Sequence, residues 1–237
     1  MKIMRQDTAR TRKSLLMAAS EIFAEKGFRD ATIAEISKRA GTNGAAINYH
    51  FGNKETLYRE AWRQSFRDSI KAYPPDGGVD KNASPEQRIA GQVGSLLRRI
   101  NDEDNRDFMI LNKELANPTG LLEEAMREEI GPLRRRIMAL VREILGPGKS
   151  EIEVRFCTVS ILSQCIFPAF INIMEKPETD GKSESLRIAD IKAYAEHVIA
   201  FSLAGMSAIG CNTKTSMVSR KTVRHVRNSA KVQVLKR

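Results

Sequence analysis

What most constrains this 237-residue chain is a closely spaced set of helix starts and stops between Thr32 and Lys54. Thr32 and Glu35 stand at the spacing at which each side chain can satisfy the other's orphan backbone amide, which predicts a helix start. Ile33, Ile36 and Ala40 recur at helical spacing, and Gly41 supplies the residue on which such a helix ends. Asn43 can cap a second helix, whose Ile47 and Phe51 fall four residues apart on one face. Two short helices about a glycine-containing turn make the helix-turn-helix pattern. Gly44, Ala45 and Ala46 leave the start of the second helix bare, so that end can approach another surface closely. Asn48, Tyr49 and His50 follow on its outer side, with polar groups suited to phosphates or base edges. The pattern by itself also fits a helical hairpin packed inside a larger bundle.

The rest of the chain is punctuated in the same helical way. A first helix is predicted from Asp7 or Thr8 to Gly27, with Leu15, Leu16, Ala19, Ile22 and Phe23 as its apolar stripe. Arg5, Arg10, Arg12 and Lys13 crowd its beginning, where a helix dipole favours acids, and beside a helix-turn-helix this points to a DNA backbone. A fourth helix is expected from Lys54 to Tyr73, with Trp62 in its apolar stripe, closed by Pro74-Pro75. Ser84-Pro85-Glu86-Gln87 is a capping box opening a helix to Ile100. Further helices are expected over Asp104–Ala116, from Asn117-Pro118-Thr119 to Leu145, and from the Ser150/Glu153 box to Met174 with a kink near Pro168. After a polar loop (Glu175 to Ser183), a last helix is expected from about Ser185 to Ile209, ended by Gly210. No stretch alternates as a strand does, and no glycine-rich phosphate loop or internal repeat is present. The fold class is all-α.

Charge is unevenly placed. The formal net charge is +10, but residues 211–237 hold eight Lys/Arg and no acid. The first 54 residues hold ten Lys/Arg against five acids, and the middle of the chain is near neutral. Basic ends attract phosphates without regard to base sequence. Three cysteines, too few and too odd in number for a disulfide framework, fit a reducing compartment. The N-terminus has basic residues but no apolar run behind them, unlike a secretory leader. The apolar stretch from Phe156 to Met174 is interrupted by Thr158, Ser160, Ser163, Gln164 and Asn172, which reads as a buried helix rather than a membrane span. The expected location is cytoplasmic.

Over residues 12–58 the sequence resembles the tetracycline-repressor (TetR) family of bacterial transcriptional regulators. The residues that carry the likeness are Ile22-Phe23-Ala24-Glu25-Lys26-Gly27-Phe28, Ala31-Thr32-Ile33-Ala34-Glu35-Ile36 and Ala40-Gly41, followed by Asn48-Tyr49-His50-Phe51-Gly52-Asn53-Lys54-Glu55-Thr56-Leu57-Tyr58. The later layout is similar to the branch with a CecR/YbiH-type C-terminal domain. The resemblance implies a homodimer whose three N-terminal helices sit on DNA and whose larger helical domain senses a ligand. Carried over by position, Thr32, Asn43, Tyr49, His50 and Lys54 would hold phosphates, Gly44, Ala45 and Asn48 would face base edges, and Thr42 joins the DNA-binding set. The family usually has a small apolar residue at position 42, a serine at 43 and a tyrosine at 48. Asn48 therefore exchanges a phenol for an amide able to read adenine. The implied dimer interface uses the last two helices, about 151–174 and 185–209.

The implied organisation is a helix-turn-helix domain at 1–53, a ligand-sensing and dimerisation domain at 54–210, and a basic tail at 211–237. The implied partners are a double-stranded, palindromic operator, a second copy of the chain and a small-molecule inducer, with no membrane and no cofactor. Phe108, Met109, Met126, Gln164, Phe167 and Phe170 are candidates for the ligand pocket, alongside the polar Glu114, Asn172 and Glu175. The three histidines are far apart, no Cys/His set has metal spacing, and no catalytic constellation is present, so no enzyme activity is expected.

Overall fold

The computed structural model describes residues 2–175 and 185–211, with side chains from residue 7 onward except at 173. Among the described residues the chain is all-α: α1 (Lys2–Asp30), α2 (Ile33–Ala40), α3 (Gly44–Phe51), α4 (Lys54–Ala72), α5 (Pro85–Ile100), α6 (Arg106–Ala116), α7 (Glu123–Leu145), α8 (Glu151–Met174) and α9 (Ile191–Cys211). The caps read from the sequence at Thr32, Ser84 and Ser150 all form reciprocal boxes. Gly27, at φ 79°, interrupts α1 where the sequence predicts its end. Most of the expected polar loop, and all but the first residue of the basic tail, lie outside the described residues.

Several boundaries differ from expectation; α1, for one, begins at Lys2 rather than at Asp7 or Thr8. α7 begins at Glu123 rather than at Asn117-Pro118-Thr119. The amide and hydroxyl of Thr119 both donate to Glu114 Oε1 at 2.8 Å, and the Gly120 amide donates to the same oxygen at 3.0 Å. That turn is thereby folded back on α6. α6 itself starts at Arg106, with Asn105 capping Phe108 N at 3.1 Å. α9 begins at Ile191 rather than near Ser185, and it runs through Gly210 to Cys211. Residues 185–190 are instead non-helical and tied to the end of α8. Asn172 and Ile188 exchange two hydrogen bonds (3.1 and 3.2 Å), and Arg187 donates to the Asn172 and Glu175 carbonyls. Asp190 then caps Ala193 N at 2.9 Å.

The apolar residues pack into two main cores that do not divide at residue 53. The first joins α1–α3 (Phe23, Ile36, Ile47) to α4 (Leu57, Tyr58, Trp62, Phe66), to Ile110 of α6 and to Leu122 and Ala125 beside the start of α7. The second joins α5, the later half of α7, α8 and α9 through Val93, Leu97, Val141, Ile161, Cys165 and Val198. Helix α7 thus belongs to both. Where the Pro74–Gly78 turn meets α5, two backbones touch: a Cβ at Gly77 or Gly91 would lie 2.3 or 2.5 Å from the opposing carbonyl oxygen. Gly77 also has φ +64°, so only glycine suits this crossing.

Among the described residues one helix, over Glu151–Asn172, is long and apolar enough to cross a membrane by length and composition. Its Val154, Ile161 and Cys165 are packed in the second core, as a bundle helix requires. Burial pushes the Cys165 thiol up to about 12 and raises that of Cys157, whereas Cys211 is exposed. A maleimide at neutral pH should therefore modify Cys211 readily and reach Cys165 only after denaturation, as intact-mass measurement would show. Modification of Cys165 in the folded protein at a comparable rate would contradict this packing.

Candidate nucleic-acid interface

Helix α3 is held from behind and bare in front. Ile47 is fully buried and Phe51 is 6% exposed, and both pack in the first core. Helical geometry turns Ala45, Asn48 and Tyr49 the opposite way, and all three are exposed, Tyr49 to 78%. Asn43 caps the helix by accepting from Ala46 N at 3.1 Å, so the positive end of α3 is presented at the same surface. The Tyr49 ring stands edge-on to His50, at 5.0 Å between centroids. Gly41, at φ 65° and ψ 34°, makes the left-handed turn that sets α2 across α3.

Around this helix the proposed phosphate ligands differ in how free they are. At Thr32 both donors are engaged: the amide and hydroxyl donate to Glu35 Oε2 at 3.1 and 2.9 Å. Lys26, then Thr32, hold the Glu35 carboxyl down at about 2. This lowered pKa means the cap is fully ionised above the usual carboxylate value of about 4.3 and loses its contribution as pH falls toward 2. Thr42 departs from expectation, because its hydroxyl is buried with no hydrogen-bond partner and its amide donates to Ser37 O at 2.9 Å. That side chain is turned into the fold rather than toward a ligand. The Lys54 ammonium lies 4.5 Å over the Phe28 ring, and burial lowers its pKa. Arg12 lies over Phe51 and pairs with Glu60 at 3.2 Å, which fixes the first helix beside α3 and α4. Arg10 and Lys13 are exposed and make no ion pair among the described residues, which leaves them available to a polyanion.

Helix α6 ties this surface to the rest of the molecule. Its start and end each hold α4: the Trp62 indole donates to Asp107 O at 3.2 Å and the Tyr58 hydroxyl to Glu114 Oε2 at 3.0 Å. It also holds α1, through Arg106–Glu21 at 3.0 Å and Arg29–Asn117 at 3.1 Å. These links were not evident from the sequence, since the partners are 45–88 residues apart.

The candidate ligand residues do not converge on one cavity. Phe108 and Phe170 meet edge-to-face at 5.8 Å in a small third core. Met126 packs against the first core, while Met109 and Phe167 are 40% and 60% exposed. Gln164 lines a cavity of about 200 Å³ between α8 and α9 that opens on the outer face of those helices. Glu114, Asn172 and Glu175 are all occupied by the structural hydrogen bonds already described or by Ser185. No group of three or more His, Cys, Asp or Glu among the described residues could hold a metal ion.

A supported helix with an exposed N-terminal face, preceded by a capped helix and carried on an all-α body, defines a helix-turn-helix DNA-binding regulator. Residues 15–61 match the model of the bacterial regulatory proteins of the tetR family, and residues 85–206 match the C-terminal domain of the HTH-type transcriptional dual regulator CecR. The chain belongs to the TetR family of transcriptional regulators, with a CecR-type C-terminal domain. It is 21% identical over 189 residues to the HTH-type transcriptional repressor AcnR of Corynebacterium jeikeium, covering 78% of this chain and 93% of that one. It is 25% identical to the transcriptional dual regulator CecR of Shigella flexneri over 170 residues, or 65% and 74% of the two chains. The crystal structure of FadR from Bacillus subtilis in complex with stearoyl-CoA shares the fold, with a TM-score of 0.62 at 18% identity over 81% of this chain and 98% of that one.

Proposed function

We propose that the protein is a homodimeric repressor, acting in the cytoplasm, that holds a palindromic operator and is released from it by a small-molecule inducer. The observation that carries the DNA-reading half is α3, whose Ala45, Asn48 and Tyr49 stand free while Ile47 and Phe51 anchor it. In this reading the operator is contacted by Asn43, Gly44, Ala45, Asn48, Tyr49 and His50 of residues 1–53 and by Lys54, the first residue of α4. Residues 54–210 sense the inducer and dimerise. The test is a gel shift with the DNA upstream of the protein's own gene: binding should be specific for sequence and should weaken steeply with salt. Absence of such binding would end the proposal. Asn48→Ala should cost about 1–3 kcal/mol and relax base preference at one position per half-site. An equal loss on every sequence would make Asn48 a phosphate ligand instead.

The dimer reading is supported by the outer face of α8 and α9. Ile152, Phe156, Val159 and Phe167 of α8 and Phe201 of α9 are each more than half exposed, an apolar strip that a two-fold copy of itself would cover. Two recognition helices would then address the two halves of a palindrome. Phe156→Glu should turn the protein monomeric in sedimentation and lower operator affinity at least about tenfold, because one half-site alone remains bound. A dimer unaffected by this change would place the interface elsewhere.

A further inference from the structure

A groove of about 230 Å³ lies on the flank of the molecule where α1, α4 and the turn from α5 to α6 come together. Leu16, Met17 and Ala72 give it an apolar floor, and Met17 is left half exposed there. Asp68, Asp102 and Asp104 rim it, and their charges are poorly answered. The Asp102 carboxylate accepts from two neutral donors, the Tyr73 hydroxyl and the Asp104 amide, each at 3.0 Å. Asp68 accepts from the Gln64 side chain at 2.9 Å and has Lys71 3.7 Å away. The Asp104 carboxylate has no partner among the described residues. Arg106 also lines the groove, but Glu21 answers its charge at 3.0 Å. Counting Glu103 in the same turn, and Lys71 and Arg98 as the nearby cations, four carboxylates stand against two positive charges, a net −2.

We infer that this groove is the docking site of the chain's own basic segment, residues 221–237, with its cations on the acidic rim and its valines on the apolar floor. The composition of the segment matches the groove in both respects. Residues 212–237 hold eight Lys/Arg and no acid, so their charge has no partner within the segment. Apolar residues are interleaved with those cations, as Val223-Arg224-His225-Val226-Arg227 and Lys231-Val232-Gln233-Val234-Leu235-Lys236. A simple cation would satisfy the rim and leave Leu16 and Met17 uncovered. A purely apolar ligand would do the reverse.

The segment also starts within reach. Helix α9 ends beside the turn from α7 to α8, where Lys149 Nζ donates to Ile209 O and Gly210 lies against the Leu145 backbone. The beginning of α5 is at the same end, since Arg88 pairs with Glu143 of α7 at 2.7 Å. From Arg88 to Asn101 the chain climbs about 20 Å along α5 and arrives at the groove. Lys221 stands ten residues beyond Cys211, a length that an extended chain stretches over roughly 33 Å. Docking therefore requires no unwinding of α9. A segment held in this way has its charge answered inside the molecule, so the formal +10 is not offered whole to phosphates.

The contact does not depend on the repressor reading, and the full-length protein tests it. Isotope-labelled and unlabelled protein are refolded together from urea and treated with a carbodiimide, which joins an amine to a carboxylate in direct contact. The joined peptides are then read by mass. Lys221, Lys231 and Lys236 should couple to Asp68, Asp102, Glu103 and Asp104 in preference to acids elsewhere, and within one isotope. At about 1 M salt, where screening acts over roughly 3 Å, the yield should fall at least about tenfold. Asp68→Lys with Asp104→Lys, both at exposed positions, should leave the melting temperature nearly unchanged. The same pair should cut coupling of the tail lysines to the remaining Asp102 and Glu103 at least about tenfold. Tail lysines left uncoupled, coupled evenly over the surface, or still coupled to Asp102 in the double variant would overturn the docking site. Joined peptides of mixed isotope would give the groove to the tail of a second copy and overturn docking within the chain.

Discussion

Ala45→Glu should abolish operator binding while leaving the fold untouched. Ala45 is exposed in the first turn of α3, so the new side chain meets no neighbour it must displace. A carboxylate there faces the positive end of the helix, which favours the isolated helix by about 0.3–1 kcal/mol. On DNA the same charge would enter a groove of base-edge acceptors flanked by phosphates, with no cation to answer it, and juxtaposed like charges cost several kcal/mol. Operator affinity should fall at least about 100-fold, equivalent to roughly 2.7 kcal/mol. Melting temperature should be equal to or slightly above that of the natural protein. Operator affinity retained within about threefold would mean that this end of α3 does not face DNA.

Breaking the buried Arg99–Asp107 pair should be the most costly charge change in the scaffold. The two side chains are 10% and 6% exposed, and Arg99 Nη1 donates to Asp107 Oδ2 at 2.8 Å and to Ser69 at 3.2 Å while lying 5.1 Å over the Phe66 ring. Asp107→Ala would leave a guanidinium in an apolar setting without its carboxylate. A buried charge orphaned in this way costs about 3–5 kcal/mol. Replacing both, as Arg99→Met with Asp107→Leu, should recover most of that loss, because two desolvated charges are replaced by packed apolar groups. Urea denaturation at one fixed protein concentration measures both variants. A single-variant cost below about 1 kcal/mol would show that the pair is wetter than its burial indicates.

The parts legible in the sequence are those fixed by neighbours a few residues away. Thr32 with Glu35, Ser84 with Gln87 and Ser150 with Glu153 close their boxes within one turn, so spacing alone places them. Ile47 and Phe51 behave likewise, since a four-residue interval fixes a shared face and hence leaves Asn48 and Tyr49 outward. Thr119 and Ser185 look like helix starts for the same local reason, yet Glu114 and Glu175 recruit them first. Periodicity also marks Phe108, Phe167 and Phe170 as apolar but does not say which neighbour each meets.

The grip of α6 on both α1 and α4 bears on how such a protein can be re-engineered. A chimera joined at residue 53 would strip the reading head of Leu57, Tyr58 and Trp62, and of the α6 carbonyl and carboxylate that anchor the last two. Grafted onto a foreign body, that head would arrive without half of its foundation. New operator preferences are therefore better installed by recoding the few outward positions of α3 than by exchanging modules. In this architecture the interchangeable part is a patch of surface, and the sequence beneath it travels as one piece with the helices that bear it.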